Sequence, residues 1–219
     1  MTRRVGAGGS REERQGGSSQ AGRAVGRGGR PEDDGATEEL IVLLDDDGTE
    51  IGTMPKRLVH HGDTPLHRAF SAYLFDDAGR LLVTRRALDK QTFPGMWTNT
   101  VCGHPGPGEP DADAIARRAA DELGLAVSDL RPALPDYRYR AELFGIVENE
   151  ICPVYLGVFR GEPVPAAGEV GEWEVLDWAA FRARQAAEGD AWSPWCREQA
   201  GLIESRGLLP AAGGPGSAA

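Results

Sequence analysis

Four histidines occur in the 219-residue chain, and three of them, His60, His61 and His67, fall within one short stretch, His60-His61-Gly62-Asp63-Thr64-Pro65-Leu66-His67. The fourth, His104, stands two residues from Cys102 in Val101-Cys102-Gly103-His104-Pro105. In an extended segment residues two apart share a face, so thiol and imidazole would project together, and Gly103 between them leaves room for a close neighbour. Such a pair could serve as a nucleophile, a metal site or a proton donor. A second pair of the same spacing is Glu148 and Glu150 in Ile146-Val147-Glu148-Asn149-Glu150-Ile151. On a strand both carboxylates would face one way, about 7 Å apart, with apolar flanks that point to burial. Two buried like charges repel unless a cation or a proton lies between them. Two histidines of the first stretch, His104 and the two glutamates make a five-ligand nitrogen and oxygen set suited to Mn²⁺, Fe²⁺ or Zn²⁺.

These groups need elements to hold them. Glu39–Leu44 is a short apolar run closed by Asp45-Asp46-Asp47-Gly48, and Leu66–Phe75 and Leu81–Arg86 flank the turn signal Asp76-Asp77-Ala78-Gly79, which predicts strands and a hairpin. Asp111 is expected to cap a helix running to Leu123, with Ile115, Ala119 and Leu123 on one stripe and Gly124 ending it. Strands are expected at Tyr137–Tyr139 and Ile151–Phe159, and helices after Asp177 and after Ser193-Pro194, where proline suits the first helical position. Strands in the middle with helices interposed and appended predict an α+β fold rather than a βαβ alternation.

Composition sets the limits. No run approaches the roughly 18 apolar residues of a membrane helix, and three scattered cysteines with no leading apolar segment argue for a reducing, cytoplasmic setting. Residues 1–37 hold almost no large apolar side chain and are expected to be a disordered Gly/Arg-rich extension. A similar tail is expected over 209–219, leaving one domain at 38–208. The first 30 residues carry seven Arg against two Glu, so within the net charge of −10 the rest of the chain carries −15, an acidic body that speaks against a nucleic-acid surface. Of 24 basic residues only Lys56 and Lys90 are lysines.

The segment Gly103-x5-Glu109-x7-Arg117, continuing Arg118-Ala119-Ala120-Asp121-Glu122-Leu123-Gly124-Leu125, resembles a Nudix box, the signature of a family with an α/β/α sandwich around a mixed sheet. It departs from the box at Arg118, where the pattern has Glu, and at Asp121, where it has the first Glu of a pair, positions that serve the metal cluster of a diphosphate-cleaving enzyme. Read without that pattern, the helix would carry surface ion pairs Arg117–Asp121 and Arg118–Glu122, worth about 0.3–0.5 kcal/mol each. The departures, with Val-Cys-Gly-His-Pro running into the box, resemble the type I isopentenyl-diphosphate isomerases, the Nudix branch that isomerises its substrate. Also resembling that family are Asp63-Thr64-Pro65-Leu66-His67-Arg68-Ala69-Phe70, Thr84-Arg85-Arg86-Ala87-Leu88, Pro94-Gly95-Met96-Trp97-Thr98-Asn99, Tyr137-Arg138-Tyr139-Arg140, Gly145–Glu150 and Ser193-Pro194-Trp195.

The resemblance implies that His60, His67, His104, Glu148 and Glu150 hold one divalent ion, Mn²⁺ or Zn²⁺, with His61 a bystander. It makes Cys102 and Glu150 the acid–base pair, Tyr139 a helper hydrogen-bonded to Glu150, and Trp195 the aromatic face for a carbocation-like intermediate. Lys56, Arg86, Lys90 and Arg118 would grip a diphosphate, and Glu122 would bind the Mg²⁺ that arrives with it. The partner is then a small molecule, isopentenyl diphosphate, with no nucleic acid or membrane and a monomer favoured. A Nudix diphosphate hydrolase, and an inactive Nudix-fold module that binds diphosphates or RNA, are the competing readings.

Overall fold

A computed structural model of the chain describes residues 38–210. The expectations for 1–37 and for most of the tail lie outside the described residues, but Leu208 and Leu209 pack against the core. The elements run β1 (Leu40–Leu44), β2 (Glu50–Pro55), α1 (Lys56–Val59), β3 (His67–Arg68), β4 (Phe70–Phe75), β5 (Leu81–Arg86), β6 (Trp97–Thr98) and β7 (Val101–Gly103). They continue α2 (Asp111–Leu123), β8 (Ala126–Leu134), β9 (Arg138–Leu143), β10 (Ile146–Ile151), β11 (Val154–Arg160), β12 (Val170–Leu176), α3 (Trp178–Glu188) and α4 (Pro194–Ser205). Among the described residues no helix is long and apolar enough to cross a membrane.

The strands form two sheets, ordered β2-β1-β3-β10-β9 and β12-β5-β4-β11-β8. Two chain segments run through both. β3 pairs with β10 in parallel (Glu150 opposite His67), and β4 pairs with β11 at the same offset (Val154 opposite Ser71). Ala69 N–H donating to the Ile151 carbonyl and Ser71 N–H to the Pro153 carbonyl carry the ladder across the break. Pro153 has no N–H to give, so the chain changes sheet there without leaving a buried donor unpaired.

β4 alternates in the manner of a strand buried on both faces. Phe70, Ala72 and Leu74 pack under α2 with Ile115, Ala119 and Leu123, while Tyr73 and Phe75 pack with Phe181, Trp192, Ala200 and Ile203 around α3 and α4. The result is the expected helix, mixed sheet, helix sandwich. The Ile115, Ala119 and Leu123 stripe is fully buried, and Gly124 ends α2 with φ 66°, donating its N–H to the Ala120 carbonyl.

Several local expectations change. Asp111 is the first helical residue and Pro110 the cap; the Asp111 carboxylate accepts from Arg68 and from the Tyr155 hydroxyl (2.7 Å) and is therefore spent on tertiary contacts. The Leu66–Phe75 run is broken at Ala69, where it passes between sheets. The Ile151–Phe159 strand starts at Val154, after Pro153, and the Tyr137–Tyr139 strand starts at Arg138 and runs on to Leu143. β2, β8 and β12 have no strong apolar period; β2 and β8 are mostly solvent-facing strands that tertiary pairing holds extended.

One feature of the second sheet decides where the chemistry sits. β4 and β5 pair only at their base, Phe75 opposite Leu81, and then diverge. The segment Trp97–Gly103 fills the gap, β6 pairing with β5 and β7 with β4. Thr100 plugs the fork, its hydroxyl accepting from Leu74 N–H and donating to the Leu82 carbonyl. The buried Asn99 amide donates to the Ala72 and Val101 carbonyls at 3.0 Å each. The backbone groups that a split sheet would orphan are thereby paired, and Cys102 is set opposite Ser71 in the middle of the sheet.

Candidate metal and active site

His60 follows α1, His67 lies on β3, Glu148 and Glu150 on β10, and His104 just after β7. The parallel register that sets Glu150 opposite His67 points both side chains to one face, and the spacing of two brings Glu148 with them. His104 Nε2 lies 3.2 Å and His67 Nε2 3.5 Å from the same Glu150 oxygen, and His60 Nε2 is 3.0 Å from Glu148 Oε2. Single donor atoms of His60, His67, His104 and Glu150 fall within 4.8 Å of one another. Glu148 joins through His60 rather than as a member of that closest set.

The donors fit a divalent ion. His60 Nε2, His67 Nε2 and Glu148 Oε2 are buried with no hydrogen-bond partner, a debt that native interiors rarely tolerate and that a cation would settle, and His104 presents Nε2 to the same cluster. Burial pushes His104 down to about 4, toward the neutral imidazole that ligates metals. Burial alone would raise the Glu150 carboxyl, yet the hydrogen bond with His104 and the nearby His67 imidazole hold it well below the usual carboxylate range. His61 stays outside: its ring Nδ1 accepts from Asp63 N–H at the surface.

Beside the cluster opens a cavity of about 460 Å³ lined by Cys102, Tyr139, Trp195, Glu150 and the four expected cations, among others. The Cys102 thiol donates to Asn99 Oδ1 (3.1 Å) and lies 3.5 Å from the Ser71 hydroxyl. Burial pushes it up to about 11, so it stands as a protonated thiol at neutral pH. Trp195 meets Phe93 edge to face (centroids 4.9 Å apart, 83°) and lies 5.4 Å from the Tyr139 ring. Tyr139 stands opposite Glu150 across the β9–β10 ladder, but the expected hydrogen bond between them is not made. Opposed side chains on adjacent strands run roughly parallel, which places the two groups side by side on the cavity wall.

Lining the same cavity, Lys56 pairs with Glu39 (2.8 Å), Lys90 with Glu169, and Arg118 with both Glu122 and Glu169 (3.3 Å to the latter). Arg86 instead donates to the carbonyl and hydroxyl of Thr92, at 3.0 and 2.8 Å. Glu122 thus faces the cavity as expected, although its pair with Arg118 is buried and not a surface contact. Arg117 does not pair with Asp121. It clasps Glu109 through two 2.8 Å hydrogen bonds and reaches the His104 carbonyl (3.4 Å), while Glu109 also accepts from Gly106 N–H. The helix wall reaches Glu109 first because the loop from Gly103 folds back over α2, and the clasp holds the Glu109 carboxyl down to about 2. A Cβ on Gly103 would lie 3.2 Å from both Arg118 and Phe70, which is the close approach its sequence position suggested.

Sequence reasoning missed Glu39, Glu169, Ser71 and Gln91, whose side-chain amide donates to the His60 carbonyl. Asn99 lay inside a quoted motif without a role. Glu169 carries no local signal, since it reaches Lys90 only through tertiary packing, with Ala87 N–H donating to its carbonyl.

Residues 65–196 match the NUDIX domain. The chain is 56% identical to the isopentenyl-diphosphate Delta-isomerase of Mycolicibacterium vanbaalenii, over 78% of this chain and 95% of that protein. It is 55% identical to the enzyme of the same name from Frankia alni (74% and 84%) and 50% identical to that of Saccharopolyspora erythraea (79% and 90%). Among solved structures, one from Deinococcus radiodurans superposes with a TM-score of 0.57 at 23% identity, covering 74% of this chain and 97% of that one. A MutT protein from Methanosarcina mazei gives 0.53 at 17%, covering 66% and 97%.

Proposed function

This chain belongs to the isopentenyl-diphosphate Delta-isomerases of the Nudix family, and we propose from that membership and from its cavity that it interconverts isopentenyl and dimethylallyl diphosphate, a step of isoprenoid biosynthesis. The observation that carries the reading is a thiol and a buried carboxylate facing one cavity that four cations also line. Moving the double bond adds a proton to the terminal methylene carbon and removes one from the carbon next to the oxygen-bearing one, so the net proton count is unchanged. Cys102 and Glu150 handle those two protons, one giving and the other taking, and their roles exchange in the reverse direction. Tyr139 stands beside that carboxylate on the neighbouring strand, with its ring against Trp195. The positive charge that develops between the two transfers lies against Trp195, where a desolvated cation–π contact contributes about 2 kcal/mol or more. Phe93 and Tyr139 around the indole keep water from quenching it.

Lys56, Arg86, Lys90 and Arg118 grip the diphosphate, Arg by paired hydrogen bonds and Lys as a point charge. His60, His67, His104, Glu148 and Glu150 would hold a divalent ion, Mn²⁺ or Zn²⁺ by their mixed donors, and Glu122 an Mg²⁺ that comes with the diphosphate. The charge these ions supply offsets the buried carboxylates and the phosphate oxygens. Three free cysteines fit a reducing cytoplasm. Incubating the metal-loaded protein with isopentenyl diphosphate and identifying the product tests the reading. Dimethylallyl diphosphate is expected; phosphate release without it would make the chain a hydrolase, and no turnover of any kind a binding module.

A further inference from the structure

Three of the four cations expected to grip a diphosphate already have anionic partners. Lys56 holds Glu39, Lys90 holds Glu169, and Arg118 is shared by Glu122 and Glu169. Only Arg86 of the four has neutral partners, both on Thr92. With Arg57, Glu38 and Asp89, which line the same cavity, five cations face five carboxylates apart from Glu148 and Glu150, so these charges balance. A diphosphate carries about three negative charges near neutral pH. Bound alone it would bring its negative charge uncompensated beside the Glu169 and Glu39 carboxylates, and a divalent ion would offset part of it. Glu169 sits where this matters most, since its oxygen spans Lys90 and Arg118 and no other carboxylate touches both.

We infer that Glu169, with Glu39 on the Lys56 side, acts as an internal counter-anion that makes the cavity select a metal-complexed diphosphate over the bare anion. The inference rests on the diphosphate reading above and assigns its specificity. A bare diphosphate must take Lys90 and Arg118 from Glu169 and then face the carboxylate it displaced, a like-charge contact in a partly dry cavity. A diphosphate that arrives with a divalent ion brings the charge that the displaced carboxylate lacks. In the free protein the same contacts hold the long Lys90 and Arg118 side chains at the cavity wall, so Glu169 is a specificity-determining group rather than a catalytic one.

The test is calorimetric titration of the full-length protein with inorganic pyrophosphate, with and without Mg²⁺, for wild type, Glu169→Gln, Glu39→Gln and Glu169→Asp, with thermal melts confirming the fold. Wild type is expected to bind pyrophosphate with Mg²⁺ and at least tenfold more weakly without it. Glu169→Gln should tighten the Mg²⁺-free complex about tenfold while changing the Mg²⁺ complex less than threefold. Glu39→Gln should move the same way by a smaller factor, and Glu169→Asp, which keeps the charge, should stay near wild type. Unchanged or weaker Mg²⁺-free binding in both glutamine variants would overturn the inference while leaving the diphosphate site standing. Failure of wild type to bind pyrophosphate even with Mg²⁺ would overturn the diphosphate reading itself, and the inference with it.

Discussion

The two side-chain groups that line the cavity, the histidine cluster and the lysine and arginine group, carry opposite electrostatic debts. In the histidine cluster the side chains of His60 and Glu148 are 6% and 7% exposed, and their facing atoms have no hydrogen-bond partner. In the lysine and arginine group Lys56 and Glu39 are 30% and 38% exposed and fully paired with each other. The histidine cluster is incomplete without a cation, while the other group is complete until an anion enters and breaks its pairs. Burial explains the contrast: unpaired polar atoms are expensive where water cannot reach, so a dry donor cluster makes sense only around an ion. The partly exposed Lys56–Glu39 pair can give up its lysine to a ligand at small cost, whereas the Arg118–Glu122 pair, 11% and 10% exposed, is nearly as dry as the histidine cluster.

The sharpest way to break this comparison is to remove one group from each side of the acid–base pair's surroundings. Cys102→Ala should abolish turnover while leaving metal content intact, because the thiol is not among the donors. His67→Ala should instead strip the bound ion, and metal analysis showing the reverse pattern would exchange these roles. Glu150→Gln keeps an oxygen for the metal and loses the exchangeable proton, so substrate should still bind while kcat falls at least ~10²-fold. A glutamine variant with near wild-type turnover would leave Glu150 as a ligand only.

A difference in stabilisation between the two groups should follow. Mn²⁺ at about a hundred times its Kd contributes about 2.7 kcal/mol, which for a domain of this size raises Tm by about 5–10 °C. Pyrophosphate without a divalent ion should shift Tm by much less, and equal shifts in a thermal melt would erase the contrast. Tyr139→Phe should cost only a few-fold in kcat, because no hydrogen bond to Glu150 is lost; a hundredfold loss would make the phenol a proton carrier in its own right.

The smallest effect belongs to Glu109. Its carboxyl is held down to about 2 by Arg117, so the clasp stabilises the fold above the unfolded value near 4.5 and that contribution drains away as pH falls toward 2. The pair is partly exposed, so Glu109→Gln should cost no more than about 1 kcal/mol at pH 6. In urea melts the gap to wild type should narrow below about pH 4.5. A gap that stayed constant down to pH 3 would mean that Glu109 acts through packing and not through charge.

Much of the histidine cluster and its surroundings was legible in the sequence. Glu148 and Glu150 share a face because strand side chains alternate, and Cys102 and His104 reach one cavity from the same short stretch, both consequences of local backbone geometry. The resemblance to a known family separated His60 from His61, and the structure leaves His61 at the surface with Asp63. The lysine and arginine group was half legible. The cations stood out, since the chain uses lysine only at Lys56 and Lys90, but their anions did not.

What the residue order settled by itself is which groups lie on which face of each strand and helix, for that depends on covalent spacing of two or of three to four residues. Only the tertiary structure decided which charges meet. Glu39 and Lys56 are 17 residues apart, Glu169 and Lys90 are 79 apart, and neither pair belongs to any local period. The same holds for Asp111, whose place before the helix suggested a cap until Arg68 and Tyr155 came within reach of its carboxylate. A carboxylate binds whichever donor packing brings nearest, and that distance is set by how the sheets fork and stack, not by its neighbours in the chain.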